Sequence, residues 1–209
     1  MKTILCYGDS LSWGIDPGTR NRLPRDKRWP GVLEAGLQGK ARIIEENLNG
    51  RTTATNDDKR AGRNGLSMFQ VVLEMHAPLD LIMIMLGTND LQEKYNLGAG
   101  DVAEGLHSLA KIAAKHDMDG ATIAPSLLLI APPRIVGPAG NMVDKFAGAA
   151  AKSSELASAI KFVVGPIGCN FFDAAIVTEP SPIDGVHLGQ SEQRALGQGL
   201  VGCVEELIK

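Results

Sequence analysis

The chain has 209 residues, carries a formal net charge of −3, and 44% of its residues are hydrophobic. That length suits one domain of about 100–200 residues with its own core, and the hydrophobic fraction excludes a disordered chain. The acidic balance gives no electrostatic case for nucleic acid. Three cysteines, Cys6, Cys169 and Cys203, are odd in number and widely spaced, which suggests neither a disulfide framework nor a zinc site. Met1-Lys2 lead straight into an apolar run too short for a signal peptide, and no run approaches the ~20 residues needed to cross a bilayer. A cytoplasmic protein without membrane contact is expected.

Strand-like and helical patterns alternate along the chain. The first strand is expected near residues 2–7, ended by Gly8. Asp9 and Ser10 then read either as a turn that caps the next helix or as a nucleophile loop. Residues 13–28 form a long basic loop with Arg20, Arg22, Arg25, Lys27 and Arg28. It reads as a solvated surface loop, with an anion-binding patch as the alternative, and it is a candidate wall for any pocket beside Ser10. A helix follows over Trp29–Gln38, with Pro30 in its first turn. The second strand spans Arg42–Leu48 and breaks at Asn49-Gly50.

Leu66–His76 is expected to be helical, with Met68, Val71, Val72 and Met75 as its apolar face. Leu81–Leu86 is continuously apolar, as a strand buried on both faces of a parallel sheet would be, and stops at Gly87-Thr88-Asn89-Asp90. A helix over Asp101–Lys115 carries a capping signal, Asp101 with Glu104 three residues on. A fourth strand covers Leu127–Ala131. Phe146–Val164 is alanine-rich and helical, Asn170–Asp173 is a short fifth strand, and residues 190–208 form the last helix. Gly197, Gly199 and Gly202 weaken that helix by roughly 1 kcal/mol each relative to alanine, for which close helix–sheet packing is a reason. Five alternations predict a parallel sheet covered by helices on both faces.

In such a sheet the carboxyl ends of all strands share one edge, where ligands bind. Gly8-Asp9-Ser10, Asn49-Gly50, Gly87-Thr88-Asn89-Asp90 and Asp184-Gly185-Val186-His187 therefore converge. A serine hydroxyl becomes a nucleophile only beside a base. Histidine suits that task because its pKa lies near neutrality, and a carboxylate fixes its tautomer. Ser10, His187 and Asp184 supply these roles. Asp184 and His187 stand three apart, so one turn of chain can aim both the same way. Oxyanion donors are available from the N–H groups of Ser10 and Gly50 and from the Asn89 side chain. His76 and His116 are expected at helix C-termini and His107 within a helix, away from the strand ends. No G-x-S-x-G elbow, phosphate-binding loop, dinucleotide fingerprint or H-E-x-x-H motif occurs.

Gly8-Asp9-Ser10-Leu11, Gly50, Gly87-Thr88-Asn89-Asp90 and Asp184-Gly185-Val186-His187 together resemble the SGNH (GDSL) hydrolase superfamily. The strings Gly8–Gly14, Arg51-Thr52-Thr53 and Met85–Asp90 look most like its bacterial arylesterase/acyltransferase branch. The second block, Asn47-Leu48-Asn49-Gly50, matches least well. The resemblance implies a three-layer α/β/α sandwich whose five-stranded parallel sheet has the order 2-1-3-4-5. It implies Ser10 as nucleophile, Asp184 and His187 as its triad partners, and Ser10, Gly50 and Asn89 as the oxyanion hole. Trp13, with Leu11 beside it, is implied to line the substrate pocket. Homo-oligomers from dimers to octamers, whose loops narrow the entrance, are implied as well.

The expected activity is hydrolysis of short-chain acyl or aryl esters through an acyl-enzyme, with acyl transfer to another alcohol as a variation. Acetylated sugars or other acetylated natural products are alternative substrates. The chemistry needs no metal or organic cofactor and no partner beyond a small-molecule ester. A rival reading places Mg²⁺ on Asp9, Asp90 and Asp184 for phosphoryl chemistry, but leaves His187 and Asn89 without roles. A non-catalytic binding module on the same scaffold is a third reading.

Overall fold

A computed structural model describes residues 1–116 and 124–209. The elements, in order, are β1 (Lys2–Gly8), α1 (Ser10–Trp13), α2 (Trp29–Gly36), β2 (Ala41–Asn47), α3 (Gly65–His76), β3 (Leu81–Met85), α4 (Ala99–Lys115), β4 (Ser126–Ala131), α5 (Met142–Lys145), α6 (Ala149–Val164), β5 (Asn170–Asp173) and α7 (Gln190–Leu207). Among the described residues the strands form one parallel sheet of order β2-β1-β3-β4-β5, as expected.

Side chains alternate along each strand, and here the alternation divides the interior in two. Leu5, Tyr7, Ile82, Ile84 and Leu129 face α3, α4 and α6. Ile4, Cys6, Leu81, Met83, Met85 and Ile130 face α2 and α7. Both faces of β3 are covered, which is why its run of Leu81–Met85 contains no polar residue. Cys6 is packed in this core, and burial pushes its thiol up, away from reactivity. Cys6, Cys169 and Cys203 are all unpaired.

Local readings shift in four places. Gly8 does not break β1; it is the last paired residue, opposite Asn47 on one side and Met85 on the other. In α3 the buried positions are Phe69, Val72 and Leu73, while Met68, Val71 and Met75 are exposed. Two apolar stripes share that helix, and the one carrying Phe69, which packs on Tyr7 with ring centroids 4.8 Å apart, faces the sheet. α4 begins two residues before Asp101: Gly98 is its cap, and Asp101, three residues in, accepts from the Gly98 N–H at 2.8 Å. The helical stretch at 146–164 divides, with Phe146 buried as the end of α5 and α6 starting at Ala149.

Of the three glycines in α7, Gly197 serves a helix–helix contact rather than helix–sheet packing. A Cβ on Gly197 would lie 2.7 Å from the Trp29 carbonyl oxygen and 2.7 Å from Val32 Cβ, both in α2. One on Gly199 would meet Val177 at 2.8 Å, whereas Gly202 has open space. Gly202→Ala is therefore expected to stabilise the protein by up to about 1 kcal/mol through helix propensity. Gly197→Ala is expected to destabilise it by about 1–3 kcal/mol through overpacking. Urea denaturation of the two variants checks the opposite signs.

Candidate active site

Asp9 closes β1 and opens α1. Its Oδ1 accepts from the Leu11 N–H at 2.9 Å, a cap that starts the one-turn helix with Ser10 as first residue. The helix-capping turn is present, and it sets Ser10 at the start of α1. Ser10 is buried, and its Oγ lies 3.1 Å from His187 Nε2. His187 Nδ1 lies 2.6 Å from Asp184 Oδ2. That bond places the imidazole proton on Nδ1 and leaves Nε2 to accept from the serine hydroxyl.

The segment that delivers His187 is tied down on every side. Asp184 Oδ1 accepts from the N–H groups of Val186 at 3.0 Å and His187 at 2.8 Å. Burial pushes the Asp184 carboxyl up, but the bonds from the His187 side chain and backbone outweigh it and hold the group below the ordinary carboxylate range. Gly185 is in the left-handed region at φ 71°, and a Cβ there would strike the Val136 and Gly137 carbonyls. Those loop residues bind back: Val136 N–H donates to Gly185 O and Ala139 N–H to Asp184 O. On the other flank, fully buried Gln193 in α7 accepts from the Trp29 N–H and donates to the Leu11 carbonyl, both at 2.8 Å. This side chain fixes the start of α7 against α1 and α2.

The expected donors gather here as well. Gly50 is buried in a turn after β2 with φ 82°. The N–H groups of Ser10 and Gly50 donate to no group among the described residues. Buried N–H groups are rarely left unpaired in a protein, which makes these two candidate donors to an incoming oxygen. Asn89 Nδ2 donates to Asp9 Oδ2 at 3.1 Å and to the Arg51 carbonyl at 3.2 Å, while its Oδ1 accepts from Gln92 Nε2 at 2.9 Å. These bonds orient the amide, and a substrate oxygen would share or replace one of those held by Nδ2.

Leu11 and Trp13 differ from each other in exposure. Leu11 is packed in the core with Trp29 and Leu33, because the residue after Ser10 is turned by about 100° round the helix. It is buried there and supports α1. Trp13 is half-buried and carries the Arg22 guanidinium 4.8 Å over its ring.

The basic loop is neither simply solvated nor uniformly turned to the site. Arg22, Arg25 and Arg28 converge on Glu45, with Arg28 forming a two-point pair at 3.1 and 3.0 Å. Arg20 alone reaches the centre, its Nη1 3.3 Å from Asp184 Oδ2 and 3.2 Å from His187 Nδ1. The other histidines lie elsewhere: His76 Nε2 contacts Glu46 at 2.8 Å, His107 contacts the Val163 carbonyl, and His116 ends α4.

Asp9 and Asp90 are buried braces. Asp90 accepts from both the N–H and the hydroxyl of Thr53. These contacts occupy the oxygens that the rival reading assigns to a cation. Among the described residues, no group of three or more His, Cys, Asp or Glu side chains is arranged to hold a metal ion. Gln92 and Gln193 carry no pattern that sequence reading could have used, whereas the cap made by Asp9 is one of the two readings the sequence allowed for that turn.

Burial pushes the Asp9 carboxyl up to about 7, with Asp90 adding in the same direction against the Leu11 and Asn89 bonds. Burial likewise raises Asp90 to about 6. The native protein therefore holds these protons more tightly than the unfolded chain does. The associated stability is complete below the unfolded value of about 4 and is lost as pH rises through about 7. Asp9→Asn keeps an acceptor for Leu11 and removes the Asp9 titration. Its stability relative to the parent is expected to rise between about pH 4 and pH 8, and a difference that stays flat in urea melts across that range would refute this.

Comparison with known proteins agrees with the geometry. Residues 6–195 match the GDSL-like Lipase/Acylhydrolase family. Among solved structures, a carbohydrate acetylesterase family member from Sinorhizobium meliloti is 39% identical, with TM-score 0.95 over 100% of this chain and 99% of that one. Est24, a carbohydrate acetylesterase from Sinorhizobium meliloti, is 33% identical, with TM-score 0.95 over 99% of this chain and 100% of that one. The native aryl esterase of M. smegmatis is 34% identical, with TM-score 0.94 over 99% and 100%. No curated protein sequence matches the chain. With a family match spanning most of its length and these SGNH neighbours, the chain belongs to the GDSL-like lipase/acylhydrolase family of carboxylester hydrolases.

Proposed function

We propose that the protein cleaves short-chain acyl esters through a Ser10–His187–Asp184 triad. The observation that carries this is the continuous hydrogen-bonded line from Ser10 Oγ to His187 Nε2, 3.1 Å, and from His187 Nδ1 to Asp184 Oδ2, 2.6 Å. Ser10 Oγ attacks the ester carbonyl carbon as its proton passes to His187 Nε2. The imidazolium is stabilised by the Asp184 carboxylate, which stays ionised. Negative charge on the carbonyl oxygen is met by the N–H groups of Ser10 and Gly50 and by Asn89 Nδ2. Collapse expels the alcohol, which takes the proton back from His187. Water, activated by the same imidazole, releases the acid; a second alcohol in its place gives acyl transfer.

Similarity to carbohydrate acetylesterases supports acetyl as the acyl group. Similarity to an aryl esterase supports aryl acetates as test substrates. Trp13, half-buried and three residues after Ser10, is assigned to the pocket rim.

Ser10→Ala is expected to lower kcat on p-nitrophenyl acetate by about 10⁴-fold or more and to abolish labelling by a fluorophosphonate probe. Asn89→Ala is expected to lose about 10²–10³-fold in kcat while still taking the probe slowly. Full activity in the serine variant would overturn the reading. A series of p-nitrophenyl esters from acetyl to dodecanoyl is expected to peak at acetyl or butanoyl; a maximum at octanoyl or longer would contradict the short-acyl assignment.

A further inference from the structure

Four cations stand around the candidate active site although the chain as a whole is acidic. Arg20 touches the Asp184–His187 pair, as described. Its backbone sits at φ 65°, an uncommon conformation for a non-glycine residue. Asp16 closes the turn beneath it, accepting from the N–H groups of Gly18 and Thr19. Arg60 lies directly over Gly50: a Cβ on that glycine would run into the Arg60 guanidinium. Lys94 joins Arg60 on the same oxygen of Asp57, each at 3.1 Å. Lys145 comes from α5, which packs against the Glu93–Tyr95 turn that carries Lys94.

The charges do not cancel. Asp57 is the one carboxylate that Arg60 and Lys94 share, and Asp184 is committed to His187. Lys145 is half-buried and pairs with no carboxylate among the described residues; its ammonium lies 5.4 Å over the Phe146 ring. Burial, together with the charges of Arg60, Arg20 and Lys94, holds its pKa below the ordinary lysine value. Among the described residues, this half-buried ammonium beside three other cations has only Asp57, already shared by Arg60 and Lys94, as a nearby opposite charge.

We propose that this ring of Arg20, Arg60, Lys94 and Lys145 binds a carboxylate or similar anionic group on the ester substrate, so that the enzyme prefers anionic esters to neutral ones of the same shape. The inference rests on the reading of Ser10 as the nucleophile. The anion can belong to the acyl chain, as in a dicarboxylic half-ester, or to the alcohol, as in an acetylated hydroxy acid. Oppositely charged groups at a partly desolvated site raise both encounter rate and binding.

The test uses two matched pairs of esters with the full chain. The acyl-side pair is p-nitrophenyl hemisuccinate against p-nitrophenyl butanoate; the alcohol-side pair is 4-acetoxybenzoate against its methyl ester. In at least one pair the charged ester is expected to have a kcat/KM about tenfold higher than the neutral one, corrected for chemical reactivity by the hydroxide-catalysed rates. That ratio is expected to fall about fivefold or more in Lys145→Gln, to fall again in the Arg20→Gln, Lys145→Gln double variant, and to shrink as NaCl rises from about 20 to about 500 mM. The pair that responds identifies the side bearing the anion. Ratios near unity in both pairs, or ratios unmoved by Lys145→Gln and salt, overturn the anionic preference while leaving ester hydrolysis intact. Loss of turnover on every ester, with no fluorophosphonate labelling of Ser10, would overturn the nucleophile reading and this proposal with it.

Discussion

Gly8 is held by strands on both sides, opposite Asn47 of β2 and Met85 of β3. The position admits no side chain: a Cβ would lie 2.7 Å from Ser12 Cβ and 2.9 Å from Asn47 Oδ1. Because the three strands are parallel and end in register, whatever follows each of them emerges at one edge within a few residues. Ser10 follows β1, Gly50 follows β2 and Asn89 follows β3. The sheet's register places Ser10, Gly50 and Asn89 at that one edge, and no long loop has to be ordered for the purpose. That saves backbone entropy, which costs roughly 1–2 kcal/mol for each residue fixed.

His187 arrives differently. β5 lies at the far edge of the sheet, three strands from β1, so register alone cannot bring His187 to Ser10. The connection from β5 to α7 crosses back, and α7 then lies on α2. Gln193 binds Trp29 and Leu11 in the buried seam between these elements. Gly197 lets the two helices approach closely. The loop after β4 supplies the remaining ties, through Val136 and Ala139. A buried polar site of this kind is stable only when its members are satisfied, and Asp184 meets that condition with bonds from two backbone N–H groups, His187 and Arg20. Asp9 and Asp90, by contrast, are kept from ordinary ionisation by burial. They brace Asn89 and Thr53 at a cost that appears only as pH rises.

Much of this was legible in the sequence because it depends on patterns of period and order. The continuous run Leu81–Met85, the alternation of strands with amphipathic helices, and the polar blocks at strand ends pointed to a covered parallel sheet and to the residues at its edge, while the strand order came only from the resemblance to the SGNH family. Side-chain facing within a helix was less legible. The α3 helix carries two apolar stripes, and only packing of Phe69 on Tyr7 selects between them. Leu11 follows Ser10 in the chain yet faces the core, which adjacency cannot reveal. The basic loop shows the same limit: five similar cations divide into a network on Glu45, a pair between Lys27 and Asp26, and one arginine at the site. Charge in a sequence does not say which charges have partners. Gln193 and Arg60 were invisible for that reason, since each matters through a contact with a residue distant in the chain or across a turn.

The account stands or falls on Ser10 becoming covalently acylated during turnover. The direct measurement is acid quench of the enzyme within its first turnovers of p-nitrophenyl acetate, followed by mass analysis of the intact protein and of the peptide containing Gly8–Trp13. The account predicts one acetyl group per chain, located on Ser10 and absent from Ser10→Ala. An acetyl group on another residue, or steady turnover by the Ser10→Ala protein without any adduct, would contradict it.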